Sequence, residues 1–433
     1  MKSSKLIIDK KRCGEALGSA EIRQFINGFV SGEVPDYQMS ALAMAICCRG
    51  MTDRETADLT DVMMKSGRVL QWGDLITADK HSTGGVGDKL SLIIQPLVSS
   101  CNVAVPSLTG RALGLTGGTA DKLETIPGYN ASLSIEDFTR VVQEVGVSMT
   151  VQTEEITPAD RKLYALRDVT ATVASIPLIV ASILSKKLAE GAGTLVFDVK
   201  CGSGAFMKTI EDASLLARRL VDGAKAAGRK AAALVSDMSM PLGSAIGNAN
   251  EVKEAIDILS GSNNPLYREE IELSIELAAL MVSLAKDIEL DEARVQCKTN
   301  LSNGSALVKF KEMVEAQGGN LKSFEKLLSK PVFRFKIQAV RSGYISSIDA
   351  GTVAAAAFEL GTGRKKQGDK IDPLAGIKLD VKMGDRVCVG TPLATLEKSD
   401  SPDGLEAAAA NLLKAFTISP NSPEGRSIIL QRI

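Results

Sequence analysis

One short stretch, residues 80–91, has the composition of a binding site for an anion. It reads Lys-His-Ser-Thr-Gly-Gly-Val-Gly-Asp-Lys-Leu-Ser, and it holds the only histidine among the 433 residues of the chain. Glycines let backbone N–H groups approach a ligand closely, and Ser, Thr and Lys side chains donate hydrogen bonds to phosphate oxygens. The spacing fits neither a nucleotide P-loop nor the three glycines of a dinucleotide-binding fingerprint. The stretch therefore predicts a phosphate site of another kind.

A second glycine-rich loop, residues 109–124, follows after one short predicted strand. It reads Thr-Gly-Arg-Ala-Leu-Gly-Leu-Thr-Gly-Gly-Thr-Ala-Asp-Lys-Leu-Glu. The Gly-Arg, Thr-Gly-Gly-Thr and Asp-Lys-Leu-Glu of this loop, together with the first loop, resemble the thymidine and pyrimidine-nucleoside phosphorylases over essentially the whole chain. The resemblance implies that the protein converts a pyrimidine nucleoside and phosphate to free base and (deoxy)ribose 1-phosphate, in nucleoside salvage.

The resemblance also implies the roles of individual residues. His81 matches a hydrogen-bond donor or acid for O2 of the departing base. Arg167 and Lys186 would hold the carbonyl groups of the base and withdraw electrons from it, which lowers the barrier to cleavage of the C–N bond. The matched residues are Lys80, Ser82, Ser91, Thr109 and Thr119 for phosphate; Arg167, Ser182 and Lys186 for the base; and His81, Arg167 and Lys186 for catalysis.

Each of these residues has a structural alternative. A single Ser or Thr hydroxyl more often caps a helix or a turn than binds a ligand, but the clustering of several hydroxyls on two loops favours binding. Ser182 and Lys186 are four residues apart, a spacing that is also common on a solvated helix face. A lone histidine is more often structural, whereas this one lies inside the anion loop. Asp79 and Asp160 are expected to orient Lys80 or to brace the cleft.

Three departures from the family pattern bear on these roles. Thr109 stands where relatives have serine and keeps the hydroxyl, while Leu115 replaces a histidine that would contact the base. Lys89 stands at a potassium site of bacterial relatives, and we expect its ammonium group to replace the ion and to pair with Glu254. No other cofactor or metal is expected. The residues that match this cation site are Gly87, Lys89, Leu242, Ala245 and Glu254.

The composition excludes several classes of function. Lys and Arg total 51 against 52 for Asp and Glu, so no excess positive charge is available to attract nucleic acid or a membrane surface. Seven scattered cysteines without a C-x-x-C motif predict free thiols in a reducing compartment. The charged N-terminus lacks a signal sequence, and no apolar run is long enough to span a bilayer. We therefore expect a cytoplasmic protein.

Periodicity predicts an α/β fold with an N-terminal helical region, a mixed or parallel sheet and a C-terminal α+β domain. The family resemblance implies that the helical domain faces the sheet domain across a cleft. Apolar spacing and the Thr52-x-x-Glu55 capping box predict helices up to residue 68. Strands and helices then alternate, and a helical insert interrupts them. The predicted segments are 1–68 and 154–192 for the helical domain, 69–153 and 193–332 for the α/β domain, and 333–433 for the hammerhead-like C-terminal domain.

The predicted strands place the two glycine loops together. Strands at Leu75–Ala78 and Val103–Val105 each lead into one loop, and the carboxyl ends of parallel strands meet at one edge of a sheet. Pro177 suits the first turn of a helix that runs to about Glu190 and carries Ser182 and Lys186 on one face.

The C-terminal region leaves an alternative open. Residues 381–393 resemble part of a biotinyl or lipoyl carrier domain, but Lys398 lacks the flanking methionines of a modified lysine. In the phosphorylases this shape recurs as a structural domain, which is the favoured interpretation. The sequence is thus interpreted as a homodimeric pyrimidine-nucleoside phosphorylase. The enzymatic alternative is a phosphoribosyltransferase of the same architecture, which would use pyrophosphate and magnesium.

Overall fold

The computed structural model describes residues 3–111, 117–364 and 369–433. Leu115 lies outside these ranges. In chain order the helices are α1 (Ser4–Arg12), α2 (Ser19–Ser31), α3 (Asp36–Arg49), α4 (Asp53–Met64), α5 (Leu90–Ser100), α6 (Thr119–Leu123), α7 (Ile135–Val145), α8 (Pro158–Val169), α9 (Ile176–Ala189), α10 (Ile210–Ala226), α11 (Ala249–Leu259), α12 (Arg268–Lys286), α13 (Leu290–Ser302), α14 (Ser305–Ala316), α15 (Leu321–Leu328), α16 (Ala350–Leu360) and α17 (Leu405–Leu413).

The strands are β1 (Ala78–Ser82), β2 (Val105–Thr109), β3 (Val147–Val151), β4 (Thr194–Cys201), β5 (Lys230–Asp237), β6 (Ala245–Gly247), β7 (Phe333–Gln338), β8 (Gly343–Ile348), β9 (Gly376–Leu379), β10 (Arg386–Val387), β11 (Pro392–Lys398), β12 (Phe416–Ser419) and β13 (Ile429–Arg432). Within the described residues, no helix is long and apolar enough to cross a membrane.

The N-terminal helices share one hydrophobic core with the helical insert. Phe25 and Phe29 from α2 lie in the same buried cluster as Leu163 from α8 and Leu178 from α9. The predicted capping box is present, because Thr52 accepts from the backbone N–H of Glu55 and the Glu55 side chain accepts from that of Thr52. Two chain segments that are distant in sequence therefore fold as one helical layer.

The central sheet is mixed, as the sequence predicts. β1, β4 and β5 run parallel in that order, and β13 pairs antiparallel with β5. β2 and β3 form a second parallel pair that follows β1, since Ala78 N–H donates to Ala104 O (3.0 Å) and Ala104 N–H donates to Ile76 O (2.8 Å). The carboxyl ends of β1 and β2 lie at one edge, which is where an open α/β sheet binds its ligands.

The predicted positions of the first two strands are wrong by several residues. β1 begins at Ala78 rather than at Leu75, and β2 begins at Val105 rather than at Val103. Lys80, His81 and Ser82 consequently belong to β1 itself, although residues of these types are not enriched in strands. The strand forms because its parallel pairing with β4 buries it and its charged side chains find partners in the interior.

The C-terminal region contains two antiparallel sheets, in the strand orders β10-β8-β12 and β6-β9-β11-β7. β6 comes from the middle of the chain and pairs with β9, which attaches this region to the α/β layer. The helices predicted at Thr352–Leu360 and Leu405–Phe416 correspond to α16 and α17. The sequence interpretation missed α12, which packs against the central sheet, α13, which packs against α12, and β3, which pairs with β2.

Candidate active site

The first anion loop begins at the carboxyl end of β1 and bends sharply at glycines. Gly87 has φ +71°, and a Cβ atom there would lie 2.3 Å from Leu242 O, so only glycine fits this position. Beyond the loop, α5 begins at Leu90 and presents Ser91 in its first turn. The Lys80 ammonium group donates to Ser91 Oγ (3.4 Å), so the strand and the helix that flank the loop are in contact.

The hydroxyls of the first loop already have partners. Ser82 Oγ donates to the Asp88 carboxylate and accepts from the backbone N–H of Gly84 (3.2 Å). Burial opposes ionisation of Asp88, but the charges of Lys80 and Lys200 hold the pKa of its carboxyl far below the usual range. Asp88 is therefore ionised at neutral pH, and it orients Ser82 at the mouth of the loop.

The second loop brings Thr109 and Thr119 to the same edge of the sheet. Thr109 is the last residue of β2, and Thr119 is the first residue of α6. The backbone N–H of Ala120 donates to Gly110 O (3.2 Å), which ties the two ends of the loop together. The five residues predicted to bind phosphate thus lie on β1, α5, β2 and α6 around one sheet edge.

Lys80 differs from the other buried lysines in its partners. In the described part of the chain, Lys80 is the one buried lysine without a carboxylate oxygen within 4.0 Å of Nζ. Burial lowers its pKa, while Asp88 and Asp198 act in the opposite direction from farther away. A buried ammonium group without a contact ion pair gains from any anion that reaches it. The buried lysines with such a partner are Lys11, Lys89, Lys122, Lys187 and Lys200.

His81 is half-buried between the two halves of the site. Burial lowers its pKa well below the usual range, and Lys187, Lys186 and Lys80 lower it further. The imidazole is consequently neutral at pH 7, which favours hydrogen bonding over proton donation as an imidazolium. Cations from α9 and β1, Lys186 and Lys80, thus both act on this one ring.

Ser182 and Lys186 meet on one face of α9, as predicted from their spacing. Lys186 Nζ donates to Ser182 Oγ (2.8 Å) and forms an ion pair with Asp160 on α8. The Lys186 side chain is only 19% exposed and that of Asp160 only 3%, so the alternative of a solvated face is wrong. Burial lowers the pKa of Lys186, and the charge of Asp160 opposes this shift.

Arg167 is fully buried and bonds to the backbone between α8 and α9. Its guanidinium donates to Thr172 O (3.2 Å), Val173 O (2.7 Å) and Leu178 O (3.0 Å). These bonds fix the start of the helix that carries Ser182 and Lys186. Arg167 thus supports the start of α9. Its guanidinium also lies 5.8 Å from the ring centroid of Tyr164, the same ring that Lys186 Nζ approaches to 5.9 Å.

The residues of the predicted cation site assemble around Lys89. Its ammonium group lies 2.7 Å from Glu254 and 3.3 Å from both Leu242 O and Glu270. Ala245 N–H donates to Glu254 (2.9 Å), and Gly87 packs against the Leu242 carbonyl. Burial opposes the charged form of Lys89, but Glu254 and Glu270 raise its pKa. The pair of Lys89 and Glu254 is present as predicted.

Glu270 is a member of this cluster that the sequence did not reveal. It lies on α12, a helix that the sequence interpretation missed, and more than 180 residues separate it from Lys89. Burial raises the pKa of Glu270 well above its usual range, while Lys89 opposes the shift and Glu254 adds to it. No local motif could have indicated this contact.

Comparison with protein families divides the chain into three matched parts. Residues 5–67 match the family described as "Glycosyl transferase family, helical bundle domain". Residues 75–307 match "Glycosyl transferase family, a/b domain", and residues 344–419 match "Pyrimidine nucleoside phosphorylase C-terminal domain". The last match supports the structural interpretation of the C-terminal region over the carrier alternative.

Proteins of known name resemble the chain over most of its length. The Pyrimidine-nucleoside phosphorylase of Bacillus subtilis is 48% identical over 395 residues, which are 90% of this chain and 90% of that protein. The Pyrimidine-nucleoside phosphorylase of Geobacillus stearothermophilus is 47% identical over 432 residues, or 99% of each chain.

A solved structure shares the fold at low sequence identity. Anthranilate phosphoribosyltransferase from Thermus thermophilus superposes with a TM-score of 0.59 at 19% identity, covering 72% of this chain and 99% of that one. The likeness supports the arrangement of helical and α/β layers described above.

The ion pair with Asp160 makes a testable prediction about Lys186. Asp160→Asn removes the charge that opposes the effect of burial, so the pKa of Lys186 should fall further below the usual lysine range. The ammonium group would then lose its proton at lower pH than in the wild type. Competitive acetylation at a series of pH values, followed by mass spectrometry of the Lys186 peptide, measures this pKa.

The matched control is Asp168→Asn, which removes an exposed carboxylate from the same helix. It should leave the titration of Lys186 unchanged. Equal titration curves for wild type and Asp160→Asn would contradict the electrostatic role of Asp160.

Proposed function

This chain belongs to the family of the pyrimidine-nucleoside phosphorylases, and we infer that it catalyses the phosphorolysis of pyrimidine nucleosides. An oxygen of inorganic phosphate forms a bond to C1′ of the pentose while the C1′–N1 bond breaks. The bonding electrons leave with the base, which takes up a proton, and the products are free base and pentose 1-phosphate. The observation that carries the proposal is the buried Lys80, which has no carboxylate oxygen within contact distance and precedes His81 on β1, at the sheet edge where both glycine loops begin.

Phosphate binding is proposed for the edge formed by β1 and β2. The Lys80 ammonium group supplies the charge that a dianion requires, and Ser91, Thr109 and Thr119 supply hydroxyl donors. Ser82 supplies a fourth when its hydroxyl turns from Asp88 to the phosphate. Charge-assisted hydrogen bonds are roughly twice as strong as neutral ones, so Lys80 should contribute most of the affinity. The neighbouring ionised Asp88 disfavours an anion that approaches from the wrong side, because like charges repel.

Base binding is proposed for α9. Ser182 and Lys186 can donate to the carbonyl oxygens of a pyrimidine, and the ammonium charge favours the electrons that the departing base receives. Arg167 contributes by holding the α8–α9 connection and by its positive charge. His81 is proposed to donate a hydrogen bond to O2 of the base. Bound phosphate would raise the pKa of His81 again, since a negative charge beside a histidine favours its protonated form.

The alternative reaction is pentosyl transfer from a pyrophosphate-linked substrate. The likeness to the anthranilate enzyme is one of fold, whereas the relatives at 47–48% identity carry the phosphorylase name over 90% or more of the chain. Phosphorolysis is therefore the better supported function. Thymidine, deoxyuridine and uridine are the candidate substrates.

The first prediction concerns the reaction and His81. Purified protein should release base from at least one of thymidine, deoxyuridine and uridine only when phosphate is present, as followed by ultraviolet absorbance. His81→Ala should lower kcat by about 10²–10³-fold, because it removes a donor aimed at developing charge. His81→Asn, which keeps an N–H donor, should recover part of the loss. Base release without phosphate, or a fully active His81→Ala, would contradict the proposal.

We further propose that the Lys89 ammonium group replaces a potassium ion. It lies near one backbone carbonyl group, that of Leu242, and two carboxylates, oxygen donors that would suit a cation of that charge. Its four-carbon chain brings the positive charge to the centre of the cluster without a bound ion. On this proposal the protein needs no cofactor, and phosphate is a co-substrate.

The potassium proposal predicts that wild-type activity is equal in potassium and tetramethylammonium phosphate. Lys89→Ser leaves two buried acidic groups without a cation, which should cost about 3–5 kcal/mol of stability. Potassium should partly restore both the thermal unfolding midpoint and the activity of this variant. Lys122→Ser, which breaks the buried pair with Glu251, serves as the stability control and should gain no potassium response. If wild-type activity depended on potassium, the proposal that the Lys89 ammonium group replaces the ion would be overturned.

A homodimer is proposed to form through the exposed face of α3. Tyr37, Ala41, Met44 and Cys48 lie along one side of this helix and are exposed, Tyr37 by 73%. Exposed apolar side chains at helical spacing are typical of a subunit contact, and the same face on a second copy fits a twofold interface.

The dimer proposal predicts that Met44→Glu lowers the sedimentation coefficient at micromolar concentration, since the substitution buries a charge in the contact. Val308→Glu, at an exposed apolar position on α14, is the control and should leave the coefficient unchanged. Equal coefficients for the two variants would exclude the α3 face. Cytoplasmic location stays a prediction from the sequence.

A further inference from the structure

Three buried charged side chains lie directly behind the candidate site. We call Asp79, Lys187 and Glu190 the rear cluster; their side chains are at most 2% exposed. Asp79 directly precedes Lys80 on β1, and Lys187 directly follows Lys186 on α9. The cluster therefore lies one residue away from both the proposed phosphate ligand and the proposed base ligand.

The rear cluster also holds the strand that leads to the second loop. Lys187 Nζ donates to the Asp79 carboxylate, to Glu190 Oε2 (2.9 Å) and to Leu108 O (3.1 Å). Leu108 N–H donates to Glu190 Oε2 (3.2 Å). Both polar groups of the Leu108 peptide are thus bound, and Leu108 directly precedes Thr109. All three donor directions of the ammonium group are used.

Asp79 is fixed from the other side by α5. Gln95 Nε2 donates to Asp79 Oδ1 (2.7 Å) and also to Ser107 Oγ on β2 (3.1 Å). The carboxylate of Asp79 consequently joins β1 to α5 and α9 at once. A group with this many fixed partners has little freedom to move, and neither do the residues attached to it.

Burial and neighbouring charges shift the pKa values of two members of the rear cluster. Burial raises the pKa of Glu190 well above its usual range, and Asp79 raises it further. Burial alone would lower the pKa of Lys187, but Asp79 and Glu190 raise it to about 12. These shifts favour the protonated form of Glu190 and the ammonium form of Lys187.

We propose that Asp79, Lys187 and Glu190 are positioning residues that set the distance between the phosphate-binding strands β1 and β2 and the base-binding end of α9. None of them touches substrate. The inference rests on the proposed function, because phosphorolysis requires the phosphate oxygen and C1′ to meet in line. A displacement of about 1 Å in such an arrangement can cost about 10²-fold in rate.

A positioning role differs from a purely structural role in its kinetic signature. Each half of the site keeps its own ligands when the cluster is broken, so phosphate and nucleoside still bind. The two substrates no longer meet in the reactive geometry. Breaking the cluster should therefore lower kcat much more than it changes either KM.

The test compares Lys187→Met, Glu190→Ala and Glu190→Gln with the wild type in the phosphate-dependent assay. Lys187→Met and Glu190→Ala should lower kcat by about 10²-fold, with both KM values within about 3-fold of wild type. Glu190→Gln should stay within about 3-fold in kcat, because its amide keeps the shape of the side chain and its oxygen can accept from Lys187 and Leu108 as Glu190 Oε2 does. If Lys187→Met does not fold, the comparison of Glu190→Ala with Glu190→Gln still tests the positioning role.

Lys11→Met is the matched control for loss of a buried ion pair. Lys11 pairs with Glu55 (2.8 Å) in the helical layer, and Glu55 also accepts from backbone N–H groups. This variant should unfold at lower temperature than the wild type and keep its kcat. Calorimetric titration with inorganic phosphate should give similar affinities for wild type, Lys187→Met and Glu190→Ala.

The positioning role and the proposed function would be overturned by different results. A folded Lys187→Met or Glu190→Ala with unchanged kcat, or a Glu190→Gln as inactive as Glu190→Ala, would overturn the positioning role while the wild type remains an active phosphorylase. A kcat loss in Lys11→Met equal to that in Lys187→Met would mean that the loss reflects lower stability alone. That result would also overturn the positioning role. A wild type that releases no base from any of the three nucleosides would overturn the proposed function and the inference with it.

Discussion

Burying a lysine is costly unless a carboxylate lies beside it, and the ion pairs that offset this cost organise the centre of the molecule. An unpaired ammonium group in a protein interior costs several kcal/mol, so each buried cation fixes the element that supplies its partner. Lys89 draws α5 towards α11 and α12, and Lys187 draws α9 towards β1. These contacts connect segments that are far apart in sequence. Within the described residues, Lys80 alone among the buried lysines has its nearest polar contact with a hydroxyl instead, and it lies at the sheet edge where we propose that phosphate binds.

The features that the sequence revealed are those with local causes. The capping box at Thr52, the proline in the first turn of α9 and the shared face of Ser182 and Lys186 all depend on neighbours within four residues. The glycine loops were recognisable because their backbone geometry demands glycine, as Gly87 shows. Such signals gave the fold class and the order of its layers, together with the residues expected to carry the chemistry.

The features that the sequence did not reveal depend on distant partners. β1 reads Ala-Asp-Lys-His-Ser, and nothing in its propensity predicts a buried strand. Its charged residues are tolerated because Asp79 meets Lys187 from α9, a contact that only the folded chain creates. Glu270 and Glu190 were missed for the same reason. Arg167 illustrates a further limit, because the resemblance indicated a contact with the base and the structure shows a side chain committed to three backbone carbonyl groups.

The position of β13 has a consequence for how the protein is made. β5 leaves the ribosome about 190 residues before β13, its antiparallel neighbour in the central sheet. At ordinary rates of synthesis of about 5–20 residues per second, that edge of β5 remains open for roughly 10–40 seconds. An unpaired strand edge can recruit strands from other chains, so during this interval the nascent protein depends on chaperones or on dilution to avoid aggregation. A late strand that closes the sheet thus makes the yield of folded protein sensitive to the speed of translation.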